Sequence, residues 1–340
     1  MEYPNSKFQL IKTILLKIIL LILGVQLIFW SLLIVFPDTS SRNIGKEFGY
    51  MFLDKTVSDT TLFNHKKILV LGDSSAATAI HLKTLGGNSL TLGVWGSSPA
   101  ETYYYLKQYL DNHDAPKCLL FTHLIAPEYY KAHAFWEFVI NYSQMPLSFV
   151  SEIYYESKRL GTFPGKDYNP ISFYTKYFLI KTRFFLTSQA FYRDKVNFSF
   201  KSPKGYQSRL NSIFKNNGEY IRLKRGKGVR GAWWEFLINP FSEDKFFTNY
   251  MEKIFKLAEE KSIKIYTFTP PISEEIYNKY RSRINSLDNY LRLNTLKHKN
   301  ANYIELREFY PEKFYIDKAH LNVFGANQFT LKISKQLDCQ

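Results

Sequence analysis

Hydrophobic positions divide the chain into three stretches of different period. From Ile18 to Phe36 the run IILLILGVQLIFWSLLIVF is uncharged, with Gln26 and Ser31 as its clearly polar members, and Ile14–Leu16 extend it beyond Lys17. A run of that length spans a bilayer as one helix. A secretory leader has a shorter apolar region of about 7–15 residues and then a small-residue cleavage site, whereas here Phe36-Pro37-Asp38 follows. The pattern predicts an uncleaved transmembrane anchor over residues 1–37, with a buried helix of a soluble protein as the alternative. Lys7, Lys12 and Lys17 precede the run, and Asp38, Arg42 and Lys46 follow it. That distribution favours a cytoplasmic N-terminus, with everything after about residue 38 facing outward. Residues 38–65 read as a linker.

From Lys66 onward, short apolar runs alternate with amphipathic stretches. Strands are predicted at 66–71, 88–94, 117–122, 263–269 and 302–306, and helices at 76–83, 99–110, 244–260, 273–297 and 325–337. Strands that are apolar throughout and alternate with helices form a parallel sheet covered on both faces. Right-handed crossovers then make a flavodoxin-like strand order the leading topology of an α/β domain over residues 66–340. Ligands in such sheets lie beyond the carboxyl ends of the strands.

The third stretch, about 124–240, interrupts this alternation and is too long for a structureless loop. It is expected to be a mainly helical insertion. Ile171 to Tyr192 is apolar on most sides, with Lys176, Lys181 and Arg183 as its charged residues. It fits either a face resting on lipid or a buried helix. Arg222, Lys224, Arg225, Lys227 and Arg230 form a glycine-broken basic loop, a candidate polyanion-binding segment or simply a solvated loop.

Composition narrows the function classes. Forty-five Lys and Arg against thirty Asp and Glu leave a formal charge of +15, which favours anionic polymers or membrane surfaces as partners. No nucleic acid is expected. Two cysteines, Cys118 and Cys339, can make neither a disulfide framework nor a four-ligand zinc site. The seven histidines show no metal-ligand spacing, and no glycine-rich phosphate loop is present, so neither metal nor cofactor is expected. Glu259 and Glu260 read as a wet helix face.

Two motifs fall where the ligand-site rule wants them. Gly72-Asp73-Ser74-Ser75 follows the first strand directly, so Ser74 projects at the carboxyl edge of the sheet. Asp317-Lys318-Ala319-His320 lies in the loop between the last strand and the last helix. A serine hydroxyl needs a base to take its proton, and the base needs an acceptor to hold its tautomer. Aspartate and histidine three apart on a turn can meet both needs.

ILVLGDSS at 68–75, TLGVWGSSP at 91–99 and IDKAHLNVFG at 316–325 resemble the first, second and fifth sequence blocks of the SGNH (GDSL-like) hydrolase superfamily. That resemblance implies Ser74 as nucleophile, His320 as base and Asp317 as the orienting acid, with the backbone amides of Ser74 and Gly96 as oxyanion donors. It covers about residues 66–123 and 243–338. The third block departs from the pattern: Phe121-Thr122-His123-Leu124 stands where a Gly-x-Asn-Asp would supply a side-chain oxyanion donor. Loss of one such donor costs about 10²–10³ in rate. With the anchor, the departure is similar to membrane-bound members such as the D-alanine transfer protein of teichoic-acid modification and the alginate O-acetylation proteins. Those work beside a membrane-bound O-acyltransferase on extracellular polymers. The resemblance therefore implies a single-pass protein of a bacterial cytoplasmic membrane that transfers or hydrolyses O-acyl groups of an envelope glycan. A catalytically silent scaffold or binding partner of a membrane acyltransferase remains the alternative.

Overall fold

A computed structural model of the protein describes residues 4–35, 44–123, 130–187, 206–219, 241–317 and 320–339. The first described element, α1 (Pro4–Val35), is a continuous helix of 32 residues. It rises about 48 Å at 1.5 Å per residue, more than a hydrocarbon core needs. Its window Phe8–Val25 has a mean hydropathy of 2.2 and none of that window is buried. Phe36 and Pro37, the end of the expected anchor, lie outside the described residues.

Five parallel strands form the sheet: β1 (Ile68–Gly72), β2 (Ser89–Thr91), β3 (Cys118–Thr122), β4 (Lys264–Phe268) and β5 (Ala301–Ile304), in the order β2-β1-β3-β4-β5. This is the expected flavodoxin-like order. Side chains alternate between the two faces with a period of two, and the cores divide accordingly. Leu69, Leu71, Leu119, Phe121 and Ile265 enter one apolar cluster, while Val70, Leu120, Tyr266 and Phe268 enter the other.

On the first face, α2 (Ile44–Ser58), α5 (Pro99–Asn112) and α9 (Lys245–Glu260) pack together. On the second, α3 (Ser74–Ala79) and α4 (Leu82–Leu85) meet α11 (Val323–Ser334). The single helix expected over 76–83 is two helices. The chain turns extended at Ile80, and the His81 N–H is taken by the Thr330 hydroxyl of α11 at 2.8 Å. A long helix, α10 (Glu274–Thr295), joins β4 to β5.

The segment expected as a linker is corrected in the same way. Within it, α2 buries Phe48, Phe52, Leu53 and Val57 in the main core, positions that keep helical spacing. Asp54 accepts the Tyr105 hydroxyl at 2.9 Å and ties the helix to α5. Residues 44–58 are therefore part of the folded domain. The two cysteines, too few for a framework, form a single disulfide: Cys118 and Cys339 have Cα atoms 5.7 Å apart and are separated by 221 positions in sequence. It closes the C-terminal tail onto the amino end of β3, the edge opposite the strand ends that bear Ser74.

Between β3 and β4, the described residues form a π-helix (Tyr130–Ile140) and the α-helices α6 (Leu147–Arg159), α7 (Pro170–Thr187) and α8 (Tyr206–Lys215). Phe173 and Tyr177 of α7 are buried, while Ile171, Phe178 and Leu179 are exposed, so this apolar helix has one packed side and one open one. Beyond α8, the chain covers the edge of the sheet. Thr91 N–H donates to the Asn217 carbonyl at 3.1 Å, and Gly218 sits at φ +86°, where a Cβ would meet Thr91 O at 2.7 Å.

The buried carboxyl of Glu219 accepts the Leu82 N–H at 3.0 Å, and its other oxygen lies 3.9 Å from His81 Nε2. Burial lowers the pKa of His81, with Lys83 adding to the effect, and burial also pushes Glu219 up to about 7, against a small opposing effect of the Leu82 bond. The His81–Glu219 contact is thus not an ion pair near neutrality. Because the folded value of Glu219 exceeds its unfolded 4.5, its stabilising protonation is complete below that value and is lost as pH rises through about 7. Glu219→Gln should therefore add about 1–3 kcal/mol near pH 8 and little near pH 4, read from urea unfolding at both. An equal change at both pH values would remove titration as its cause.

Candidate active site

The first motif is built at the carboxyl end of β1. Gly72 has φ +133°, and a Cβ there would lie 1.8 Å from the Thr122 carbonyl of β3, so only glycine lets the two strands end this close. Asp73 then caps α3 by accepting the Ser75 N–H at 2.8 Å and the Ser75 hydroxyl. Burial alone would raise the Asp73 carboxyl, but His123 and the two Ser75 bonds outweigh it and hold the pKa at about 2. A fixed, ionised cap orients the turn and leaves Ser74, the next residue, half-buried at the edge.

The second motif closes on the first from 246 residues away. Ser74 Oγ lies 2.9 Å from His320 Nε2. On the other side of the imidazole, Nδ1 lies 2.8 and 2.9 Å from the two Asp317 oxygens, and one of these also accepts the His320 N–H at 3.0 Å. Nδ1 has carboxylate oxygens alone within reach in these contacts, which assigns its proton there and leaves Nε2 as the acceptor for the Ser74 proton. The loop is itself fixed: Ile316 N–H donates to the His320 carbonyl at 2.8 Å, and Tyr315 pairs with Leu321 in an antiparallel bridge. Asn322 caps α11 through the Phe324 and Gly325 amides. Ser74, His320 and Asp317 are thus brought together in the order that the motif chemistry requires.

Gly96, the other expected oxyanion donor, follows β2 in the neighbouring loop at φ +75°. The main-chain amides of Ser74 and Gly96 donate no backbone hydrogen bond among the described residues, which leaves them available to a developing oxyanion. A Cβ at Gly96 would meet Cδ2 of Phe138 at 2.5 Å, so the π-helix is packed directly against this loop. The same helix is held by Tyr130, whose hydroxyl donates to the buried Glu101 at 2.7 Å. Glu101 also completes the Ser98 capping box of α5. Burial raises the pKa of Glu101 against the opposing bonds from Ser98 and Tyr130.

Two contributors were not anticipated. The half-buried indole of Trp95 lies against the His320 imidazole, ring centroids 5.0 Å apart and 33° between planes, and limits the orientations of that ring. Its position next to Gly96 in the 91–99 segment was the available signal. His123, in the segment 121–124, is buried, with Nε2 3.0 Å from the Thr102 hydroxyl and Nδ1 3.7 Å from Asp73 Oδ2. It braces the turn that bears Ser74 from behind. The basic residues Arg222, Lys224, Arg225, Lys227 and Arg230 lie outside the described residues, as do Lys318 and Ala319 within the second motif.

The sequence matches no protein-family model, and no curated protein matches it either.

Proposed function

We propose that the chain is a membrane-anchored, serine-dependent O-acyltransferase or ester hydrolase of SGNH type, acting outside the cytoplasm on O-acyl groups of a cell-envelope glycan. The observation that carries this reading is the unbroken Ser74–His320–Asp317 hydrogen-bonded chain. Ser74 Oγ attacks the acyl carbonyl while His320 Nε2 takes its proton, and the Ser74 and Gly96 amides receive the negative charge on oxygen. Collapse expels the alcohol, which takes the proton back from His320 and leaves the acyl group on Ser74. An incoming acceptor hydroxyl, or water, then repeats the sequence in reverse roles. Asp317 keeps the imidazole in the tautomer both halves need.

Two features support the cellular setting. An N-terminal helix long and apolar enough to cross a membrane, with Lys7, Lys12 and Lys17 preceding its uncharged run from Ile18, suits a single pass with the domain outside. A disulfide between Cys118 and Cys339 suits an oxidising compartment. A membrane-bound O-acyltransferase is the proposed partner and acyl donor.

One observation favours the second reading, a silent scaffold. His123 is engaged with Thr102 and faces Asp73, so it is not free to replace the missing third oxyanion donor, and two backbone amides alone predict a slow esterase. A fluorophosphonate probe separates the two readings: the full-length protein in detergent should be labelled at Ser74, and the His320→Ala variant should not. An unlabelled native protein would leave the scaffold.

A further inference from the structure

A cavity of about 300 Å³ opens at the carboxyl ends of β4 and β5, between the segments 269–272 and 305–309 and the helix α10. None of the triad lines it. Its walls include Pro270, Pro271 and Ile284, and Phe309, which is 39% exposed, stands at its side. Two arginine–carboxylate pairs share the same lining: Arg307–Asp288 at 2.9 Å and Arg292–Glu305 at 3.2 Å. Arg307 is held in place by Tyr277 and Asn285 at 2.9 and 2.8 Å.

This combination selects a chemical class. The paired charges cancel, and the third carboxylate of the lining, Glu308, is held by Lys332 at 2.6 Å, so a strongly anionic or cationic ligand gains little here. A hydrocarbon chain would take partly exposed ion pairs out of water without replacing their hydration. A sugar ring meets both demands, since its hydroxyls donate to carboxylates and accept from guanidinium N–H groups, while its C–H face packs on proline and phenyl surfaces. We propose that this cavity is a carbohydrate subsite that holds the glycan acceptor a few units away from the reacting hydroxyl.

The position suits that role. β4 and β5 are the second and third strands from β1, about 10 and 14 Å away at the usual inter-strand spacing, and both end on the same edge as Ser74. Tyr315 joins the two places, its hydroxyl donating to the Ile272 carbonyl at 2.8 Å from the start of the loop that bears Asp317 and His320. A chain molecule seated in the cavity extends along the strand ends toward the nucleophile. The inference rests on the acyl-transfer reading for the identity of what is bound there as acceptor; the sugar-binding chemistry stands on the cavity alone.

The test measures binding of three tetrasaccharides, a β-1,4-glucan, a chitin oligomer and an oligomannuronate, to the full-length protein in detergent micelles by calorimetry or ligand-observed NMR. At least one of the two neutral tetrasaccharides should bind, and Phe309→Ala and Arg292→Ala should each weaken it by about tenfold or more. Arg292 is 41% exposed, so its variant decides the matter should Phe309→Ala fail to fold. No binding of either neutral oligosaccharide at millimolar concentration, binding only of the uronate with strong salt dependence, or unchanged affinity in the Arg292 variant would overturn the proposal. A protein that binds sugar through these residues yet is never labelled at Ser74 would keep the subsite and lose the acyl-transfer reading.

Discussion

Ser74→Ala and His320→Ala are each expected to reduce acyl-enzyme formation by about 10⁴-fold or more, and the double variant to be scarcely worse. The reason is geometric: in the proposed mechanism the serine gains nucleophilicity only through the 2.9 Å contact with Nε2, and without the hydroxyl the imidazole has no proton to take. Two groups that act as one unit cannot lose their contribution twice. Asp317→Asn should be milder, by about ten- to a hundredfold, because the imidazole keeps its place against Trp95 while the preferred tautomer is lost. Burst kinetics with an activated ester, compared across the four variants, reads all of this. Full transfer activity in Ser74→Ala would end the covalent mechanism.

Removal of the disulfide should produce the largest loss of stability. Cross-linking residues 221 apart restricts the unfolded chain by about 5 kcal/mol on loop-closure entropy, an upper figure for engineered bridges. In a domain of this size that corresponds to a fall in Tm of about 10 °C or more. Cys118→Ser should therefore unfold earlier than the parent under non-reducing conditions and match the fully reduced parent. Catalysis per folded molecule should be kept, because the bridge ties the amino end of β3 and the triad stands at the carboxyl ends of the strands. Free thiols that react with maleimide in native protein taken directly from the envelope would show that the bridge does not form in the cell.

Much of the sheet was legible before any coordinates. The central strands β1 and β3 are apolar runs short enough to cross a sheet once, and burial on both faces leaves Ile68–Leu71 and Cys118–Phe121 without polar interruptions. The helices on either side carry their own period, the Gly-Asp-Ser motif sits directly after a strand signal, and the Asp-x-x-His motif lies in the loop between the last strand and the last helix. Where the reading stopped short, the cause was often competition between local signals. α2 has its apolar positions at helical spacing, yet Gly49, Lys46 and Asp54 dilute them, and only packing against α5 makes the segment core rather than connector. The helix over 76–83 broke because a hydroxyl on α11, unseen by any local pattern, took the amide of His81.

The sequence by itself determined the apolar N-terminal helix, the α/β class with its parallel sheet, and the serine, aspartate and histidine of two motifs in loops of that sheet. Those properties depend on periodicity and residue spacing, which are local. The tertiary structure alone decided that Ser74 meets His320 across 246 residues, that Cys118 finds Cys339, that residues 217–219 cover the free edge of β2, and that two segments after β4 and β5 enclose a cavity. Each of these joins parts of the chain too far apart for any local pattern to report, and each exists only because the sheet order sets those parts side by side.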